Sequence, residues 1–219
     1  YGRYLHERLQ GKPTQYITHR QEFYGREFTV GPDVLIPRPE TEHVIETVLA
    51  QARGARRLVD VGCGSGAISV TLALEMQAEV WATDISPVAL AVAAGNARKL
   101  AAQVHFVACD LASAFGAGTM DLVASNPPYV ALRDAPGLQR EVRDYEPHVA
   151  LFAGETGLEV YERLVKEAER VLRPGGALVM ELGFKTSEPV SAMLGPPWQD
   201  VRIVPDLAGI PRVLAARLG

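Results

Sequence analysis

The stretch that decides the fold is DVGCGSG, residues 60–66. The apolar run RRLVDV at 56–61 leads into it and predicts a buried strand, and a helix is predicted from Ala67. Glycines between a strand and a helix let the chain turn sharply and leave bare backbone N–H groups for a ligand. The G-x-G-x-G spacing differs from the dinucleotide fingerprint, and no P-loop Gly-Lys-Ser/Thr follows. The pattern favours a ligand loop, with an unliganded tight turn as the alternative.

Strands and helices alternate regularly around this loop. The predicted strands are 56–61, 79–84, 104–110, 120–126, 177–183, 199–204 and 212–217. The predicted helices are 1–10, 39–51, 67–76, 86–100, 158–172 and 188–194, with a hairpin at 22–30. Such alternation is typical of a mostly parallel sheet with helices on both faces. The short turn PDLAG at 205–209 joins the last two strands and predicts an antiparallel hairpin at one edge of a seven-stranded sheet.

Two more strands are predicted to end in acidic residues. Asp84 ends the strand after the glycine loop, and Asp110 ends the next one. In open α/β sheets, ligands bind at the carboxyl ends of the strands, and an acid at Asp84 is placed to accept both hydroxyls of an adenosine ribose. The alternative for Asp84 is a helix-capping or turn role before Ser86-Pro87. Three acidic strand ends beside one glycine loop favour a nucleoside site.

The fourth strand of the series ends in Asn126-Pro127-Pro128-Tyr129, which carries the chemistry. An amide or ring amine nitrogen is a poor nucleophile and needs two hydrogen-bond acceptors to hold its hydrogens and aim it. The side-chain carbonyl of Asn126 and the backbone carbonyl of Pro127 supply two such acceptors. The prolines stiffen the loop, and Tyr129 can stack on a flat acceptor. The alternative is a proline-rich loop that merely ends a strand.

Composition narrows the classes of protein. Hydrophobic residues make up 47% of the 219 and charged residues 22%, values typical of a globular domain. The net charge of −4 argues modestly against a nucleic-acid partner. The two cysteines, Cys63 and Cys109, suggest neither a disulfide framework nor a metal site, and no membrane-spanning run or signal pattern occurs. We expect a cytoplasmic protein without a metal, and a monomer.

Several blocks of the sequence together resemble one family. The glycine loop with its acidic strand ends is similar to Rossmann-like class I methyltransferases, and the Asn-Pro-Pro-Tyr motif is similar to amino methyltransferases of adenine, guanine and glutamine. The blocks that narrow the choice are EFYGREFTV (22–30), LIPRPETE (35–42), DLVASNPPYV (121–130), Glu146-Pro147 and DLAGIPRVL (206–214). Across nearly all of its length the chain thus resembles the HemK/PrmC family. Those enzymes methylate the glutamine of the Gly-Gly-Gln motif in class I peptide chain release factors.

The resemblance implies S-adenosylmethionine as cofactor and S-adenosylhomocysteine as product. It implies that the glycine loop holds the methionine part, Asp84 the ribose and Asp110 the adenine amine. The implied cofactor residues are Asp60, Val61, Gly62, Cys63, Gly64, Gly66, Asp84, Asp110, Leu111 and Asn126. The residues implied to bind and methylate the glutamine amide are Asn126, Pro127, Pro128 and Tyr129, with Arg38 near the substrate. Many family members carry an aromatic residue at the position of Leu111.

The resemblance also predicts the domain organisation and the partner. Residues 1–18 are expected to be the remnant of an N-terminal helical substrate-binding region with its linker, and residues 19–219 the methyltransferase domain. The expected partner is a class I release factor. Glutamine methylation of a ribosomal protein, or amino methylation of a nucleic acid by the same motif, stay open as alternatives. For Arg38, a role in the helix-entry segment is an equal alternative, and Cys63 is interpreted as a space-filler and Glu181 as an anchor of the core edge.

Overall fold

The chain alternates strands and helices in the computed structural model, which describes residues 2–219; the predicted helix 1–10 thus begins outside the described residues. The helices are α1 Gly2–Leu9, α2 Thr14–Thr18, α3 Glu42–Gln51, α4 Ala67–Glu75, α5 Pro87–Lys99, α6 Arg140–Tyr145, α7 His148–Leu151, α8 Glu159–Val171 and α9 Ser187–Ala192. The strands are β1 Arg20–Phe23, β2 Arg26–Thr29, β3 Arg57–Val61, β4 Glu79–Asp84, β5 His105–Ala108, β6 Met120–Ser125, β7 Val130–Ala131, β8 Phe152–Gly154, β9 Leu172–Glu181, β10 Trp198–Pro205 and β11 Pro211–Leu218.

The main sheet has seven strands in the order β10-β11-β9-β6-β3-β4-β5. The five strands from β9 to β5 are parallel, and β11 and β10 are added antiparallel at one edge. This confirms the predicted fold class. The chain runs outward from β3 to β5 and then returns to β6 on the other side of β3. The switch point therefore lies at the carboxyl ends of β3 and β6, where open α/β sheets bind ligands.

Strand β3 is buried on both faces, which explains why it reads as a continuous apolar run. Leu58 packs in the cluster beneath α3 and α4, and Val59 packs in the cluster beneath α8. Successive side chains of a strand point to opposite faces, so each face of the sheet receives its own core. The two layers of helices fix β3 firmly, and with it the glycine loop at its carboxyl end.

Some predicted element boundaries are wrong. Residues 39–41 form a 3-10 turn rather than the first turn of the helix, and α3 starts at Glu42. The Pro174-Gly175-Gly176 segment was expected to separate helix from strand, but β9 begins at Leu172 and accommodates these residues in a pairing irregularity opposite Met120–Leu122. Helix α2 and the short elements of residues 130–154 were not predicted. Elements this short carry too few residues to show a period.

The first two helices differ in how they attach to the sheet domain. Helix α1 buries none of its residues, whereas α2 buries Tyr16 and Ile17. The Tyr16 hydroxyl donates a 2.6 Å hydrogen bond to the Val34 carbonyl, and its ring packs with Val34 and Ile36. Two side chains of α2, those of Tyr16 and Ile17, are therefore buried against the sheet domain, whereas α1 contributes none.

The β1–β2 hairpin is tied to the glycine loop by one buried side chain, that of Asn96 in α5. Its oxygen accepts from the Thr29 N–H at 2.8 Å, and its Nδ2 donates to the carbonyls of Thr29 and Ser65, both at 2.9 Å. Asn96 is fully buried. One amide thus joins the end of β2, helix α5 and the loop between β3 and α4, which fixes the position of the loop relative to the hairpin.

Replacement of this amide is expected to be costly. Asn96→Ala removes the partner of three backbone groups, one of them the buried Ser65 carbonyl, and leaves a cavity, so we expect the free energy of unfolding to fall by about 2–4 kcal/mol. Arg98→Ala, an exposed position in the same helix, is the matched control and should change it by less than about 0.5 kcal/mol. Urea unfolding followed by circular dichroism measures both. Equal values for the two variants would show that Asn96 does not hold the hairpin to the loop.

Candidate active site

The glycine loop after β3 has a backbone that side chains would disturb. Gly62, Gly64 and Gly66 have φ values of 72°, 52° and 82°, in the left-handed region that favours glycine. A methyl group on Gly66 would lie 3.1 Å from the Cβ of Ala93, so this glycine allows α4 to pack on α5. A methyl group on Gly62 or Gly64 would meet no atom within 4 Å and would instead fill the space in front of the loop. That bare backbone is a cradle for a ligand.

Asp84, at the end of β4, is locked to the glycine loop. One carboxylate oxygen accepts from the Gly64 N–H at 2.9 Å, and the other accepts from the Ser86 N–H at 2.9 Å. Ser86 in turn caps α5 by accepting from the Ala89 N–H at 3.2 Å. Each carboxylate oxygen retains a free lone pair. Asp84 therefore has both the turn role and the capacity to accept a diol, which the sequence set against each other.

Asp60 lies behind the loop and is almost completely buried. One of its oxygens accepts from the Ser69 N–H at 2.9 Å, whereas Oδ1 has no hydrogen-bond partner among the described residues. Burial raises the pKa of this carboxyl to about 7, and the nearby charge of Asp84 adds to the effect. Asp60 thus supports the start of α4 from beneath and does not line the ligand space.

A cavity of about 270 Å³ lies in front of the loop, at the switch point of the sheet. The predicted site residues that line it are Gly62, Cys63, Gly64, Asp84, Asp110, Leu111, Asn126 and Pro128. The predicted residues that do not line it are Asp60, Val61, Gly66, Pro127, Tyr129 and Arg38. Other residues of the cavity wall, none of them predicted as site residues, are Asp33, Val34, Leu35, Pro37 and Thr41, and Pro147, Val149, Ala150, Phe152 and Arg163.

The end of β5 forms the side of the cavity. Leu111 has a φ of 49°, an uncommon conformation for a residue with a side chain, and its carbonyl accepts from the Thr83 hydroxyl at 2.7 Å. Asp110 forms a partly exposed ion pair with Arg163 of α8. The sequence assigned Asp110 to an adenine amine; in the structure one of its oxygens already bonds to Arg163, and the other remains available.

The two cysteines are free and both line the cavity. Burial raises the pKa of the Cys63 thiol well above its usual value, and the charges of Asp60 and Asp84 act in the same direction. A thiol held neutral is a poor nucleophile, in accord with the space-filling role given to Cys63. Within residues 2–219, no group of three or more His, Cys, Asp or Glu side chains is placed to hold a metal ion. No helix in that range is both long and apolar enough to cross a bilayer.

Asn126, at the tip of β6, belongs to a chain of hydrogen bonds. Its Nδ2 donates to Thr41 Oγ1 at 3.2 Å, and Thr41 Oγ1 donates to Glu181 Oε2 at 2.5 Å. The Tyr129 hydroxyl donates to the other oxygen of Glu181 at 3.4 Å. The carbonyl oxygen of Asn126 accepts no hydrogen bond from residues 2–219, and Asn126 lines the cavity. Its acceptor edge is therefore left for a ligand.

Two glycines far along the chain let Tyr129 sit in this position. A methyl group on Gly183 would lie 2.6 Å from Cδ2 of the Tyr129 ring. A methyl group on Gly157, whose φ is 83°, would lie 2.6 Å from the Tyr129 carbonyl oxygen. No residue other than glycine fits at either position without moving the loop. The stacking of Tyr129 on a substrate stays a prediction, because the ring here packs on Gly183 and is not part of the cavity wall.

Arg38 contributes to the cavity wall indirectly, through an ion pair with a buried residue. It pairs with Glu146, whose carboxylate is buried and whose second oxygen accepts from the Ile36 N–H at 3.0 Å. The LIPRPETE segment is thereby joined to Glu146-Pro147, and both segments contribute residues to the cavity. The two sequence blocks that were quoted separately thus form one wall. Loss of Arg38 would be costly because it would leave the buried Glu146 carboxylate without its cation.

Comparison with known proteins agrees with this architecture. The family described as "Methyltransferase small domain" matches residues 40–139. The release factor glutamine methyltransferase of Koribacter versatilis is 48% identical over 99% of this chain and 79% of its own length. That of Bacillus subtilis is 40% identical over 99% of this chain and 79% of its own length.

Solved structures share the fold at low identity. A methyltransferase from Pyrococcus furiosus has a TM-score of 0.66 at 18% identity, covering 97% of this chain and 98% of that one. A 16S rRNA methyltransferase from T. thermophilus, solved with AdoMet and guanosine, has a TM-score of 0.64 at 20% identity. The match covers 91% of this chain and 50% of that one. Such distant likeness shows the fold and leaves the acceptor open.

The sheet order, the glycine loop and the cavity at the switch point define a Rossmann-like class I methyltransferase. Identities of 40–48% over nearly the whole chain go further than the fold. The chain belongs to the release factor glutamine methyltransferase family. The resemblance stated from the sequence blocks is confirmed.

The raised pKa of Asp60 predicts a pH dependence of stability. Its pKa rises from 3.8 to about 7 on folding, so the folded state holds this proton more tightly. The resulting stability is complete below about pH 4 and is lost as the pH rises to about 7. The Asp60→Asn variant should not show this loss. From about pH 4 to pH 7, its free energy of unfolding should therefore increase relative to that of the wild type by on the order of 2–4 kcal/mol.

Chemical denaturation at pH 4.5, 6 and 7.5 measures this difference without bound ligand. Glu181, whose pKa burial also raises to about 7, titrates in both proteins and cancels in the difference. A difference that stays constant with pH would mean that Asp60 ionises normally in the folded protein.

Proposed function

We propose that the protein transfers the methyl group of S-adenosylmethionine to the side-chain amide nitrogen of the glutamine in the Gly-Gly-Gln motif of class I peptide chain release factors. The observation that carries this proposal is the acceptor edge of Asn126, free at the rim of a cavity whose floor is the bare glycine loop. The relatives named for this activity support the choice of substrate.

The cavity fits the proposed cofactor in three parts. Gly62 and Gly64 leave open backbone that a Cβ would fill, which suits the methionine portion. The half-buried carboxylate of Asp84 suits a ribose diol. Apolar side chains, among them Ile85, Leu111 and Ala89, line the cavity and suit an adenine ring. When bound, the cofactor supplies a methyl group already activated on a sulfonium.

Asn126 and the Pro127 carbonyl hold the acceptor amide in this mechanism. The Asn126 Oδ1 and the Pro127 carbonyl accept the two hydrogens of the substrate NH₂ and orient its nitrogen toward the methyl group. Positioning of this kind lowers the barrier without a strong base. As positive charge develops on the nitrogen, the two carbonyl dipoles stabilise it. Pro127 and Pro128 keep the loop from relaxing, because their φ angles are fixed.

The alternatives are not favoured. Glutamine methylation of a ribosomal protein and amino methylation of a nucleic acid would use the same four residues. The relatives that are 40–48% identical are named release factor glutamine methyltransferase, whereas the rRNA methyltransferase that shares the fold is only 20% identical.

Residues 1–18 are proposed to belong to the substrate-binding region, and residues 19–219 to the catalytic domain. Two contacts support a link between them: Arg8 pairs with Glu141 at 2.8 Å, and the Tyr145 hydroxyl donates to the Gln10 carbonyl at 3.0 Å. Helix α6 carries both partners and precedes Glu146-Pro147 directly. Residues that meet a release factor through α1 would thus lie next to the cavity wall.

The direct test is mass spectrometry of a class I release factor after incubation with the protein and labelled S-adenosylmethionine. We expect one added methyl group on the peptide that contains Gly-Gly-Gln. A release factor with alanine in place of that glutamine is the matched control and should gain none. Label recovered only from a ribosomal protein or from RNA would refute the proposed substrate.

Binding and turnover should separate between two variants. Asp84→Ala removes the acceptor for the ribose, so we expect cofactor affinity to fall by roughly 1.5–3 kcal/mol. Asn126→Ala should bind cofactor nearly as wild type but lose about a hundred- to a thousandfold in turnover, the scale of one lost preorganised contact. Calorimetry and single-turnover assays measure the two quantities. Near wild-type turnover of Asn126→Ala would exclude the two-acceptor mechanism.

A further inference from the structure

Glu181 is a buried acid that the proposed mechanism does not use. It ends β9, is 3% exposed, and is bonded through both carboxylate oxygens, one to Thr41 and one to Tyr129. From the sequence it was interpreted as an anchor of the core edge. An anchor could be apolar, since burying a carboxylate costs free energy that packing alone does not offset. Its retention in the core therefore calls for a role in the site.

The donors and acceptors that these side chains carry determine the direction of each hydrogen bond. When the Glu181 carboxylate is ionised it only accepts, so the single proton of the Thr41 hydroxyl then goes to Glu181, at 2.5 Å. The lone pairs of the same hydroxyl can then only accept, and they accept from the amide of Asn126 at 3.2 Å. The NH₂ of Asn126 is thus directed to Thr41, and its carbonyl oxygen is left for the cavity.

The groups around Glu181 leave its carboxylate as the final acceptor in this series of hydrogen bonds. The Tyr129 hydroxyl donates to it at 3.4 Å, and Tyr161 donates to its backbone carbonyl at 2.9 Å. Glu40 raises its pKa and Arg212 lowers it, both less strongly than burial does. Arg212 is bonded to Asp206 at 2.8 Å and lies 3.9 Å from Glu40, so no cation pairs with Glu181 among the described residues.

We infer that Glu181, acting through Thr41, is a positioning residue that fixes the orientation of the Asn126 amide, with its carbonyl oxygen toward the substrate amide. The inference rests on the proposed function and deepens it. Without the carboxylate, the Thr41 hydroxyl is free to donate to Asn126, and the amide can rotate. A rotated amide presents NH₂ to the NH₂ of the substrate, so two donors face each other and the acceptor is lost.

The orientation itself can be measured without turnover. In nitrogen–proton NMR spectra, the side-chain NH₂ of Asn126 is assigned by its disappearance in Asn126→Ala. We expect Glu181→Leu and Thr41→Val to speed its hydrogen exchange by about tenfold or more, because the NH₂ loses a fixed acceptor. Thr41→Ser, which keeps the hydroxyl, should exchange as wild type does. Exchange in Glu181→Leu as slow as in wild type would overturn the inference.

Kinetics then show whether the two residues act as one unit. We expect Glu181→Leu and Thr41→Val each to lower kcat about tenfold with KM for cofactor unchanged, and Thr41→Ser to retain wild-type kcat. The double variant should lose about tenfold rather than a hundredfold, because both changes break the same chain. Independent, multiplying losses would mean that Glu181 does not act through Thr41. If Glu181→Leu fails to fold, Thr41→Val against Thr41→Ser decides the matter.

Tyr129 offers the competing route and a control. Tyr129→Phe removes the second hydrogen bond to Glu181 and keeps the ring. If its loss of kcat is non-additive with that of Glu181→Leu while that of Thr41→Val is additive, Glu181 acts through Tyr129 and the inference fails. The proposed substrate is judged separately: a wild-type protein that leaves the release factor unmethylated refutes the function, whereas the NMR exchange data still decide the orientation.

Discussion

A buried carboxylate holds together the two segments that meet at the rim of the cavity. Glu181 receives the Thr41 hydroxyl from the segment before α3 and the Tyr129 hydroxyl from the loop after β6. Burial of a carboxylate is unfavourable unless hydrogen bonds compensate it, and here it raises the pKa of Glu181 to about 7. The position of the loop therefore depends on both partners being present, and the acceptor edge of Asn126 follows from that position.

The ligand side of the cavity is set by the same kind of constraint. The Asp84 carboxylate bridges the N–H groups of Gly64 and Ser86, so the glycine loop and the start of α5 are held in place by protein contacts alone. Asn96 holds the loop from the opposite side through the Ser65 carbonyl. A site arranged before its ligands arrive loses little conformational entropy on binding, which favours both affinity and reaction geometry.

Short sequence patterns predict much of the fold and of the ligand side of the cavity. The features that could not be predicted depend on contacts between residues far apart in the chain. A strand, the glycine turn after it and an acid at the end of the next strand all lie within about 25 residues. This is the length of a βαβ unit, so the pattern can be recognised in the sequence. The contacts of Glu146 with Arg38, of Gly183 with Tyr129 and of Glu181 with Thr41 join residues far apart in the chain. No period or propensity marks them, since they exist only once the chain has folded; the Gly183–Tyr129 contact, for example, requires β6 and β9 to lie side by side. A glycine two residues after a strand, as at Gly183, was an available signal.

This arrangement also explains how an amide nitrogen can be methylated without a base beside it. The buried acid linked to Asn126, Glu181, is separated from it by the Thr41 hydroxyl and accepts two hydrogen bonds. Such a group orients and does not take the proton of the acceptor. The nitrogen need lose its extra proton only after transfer, when its acidity is far higher. The demand on the protein is then geometric, and rigid carbonyl acceptors meet it better than a flexible base would.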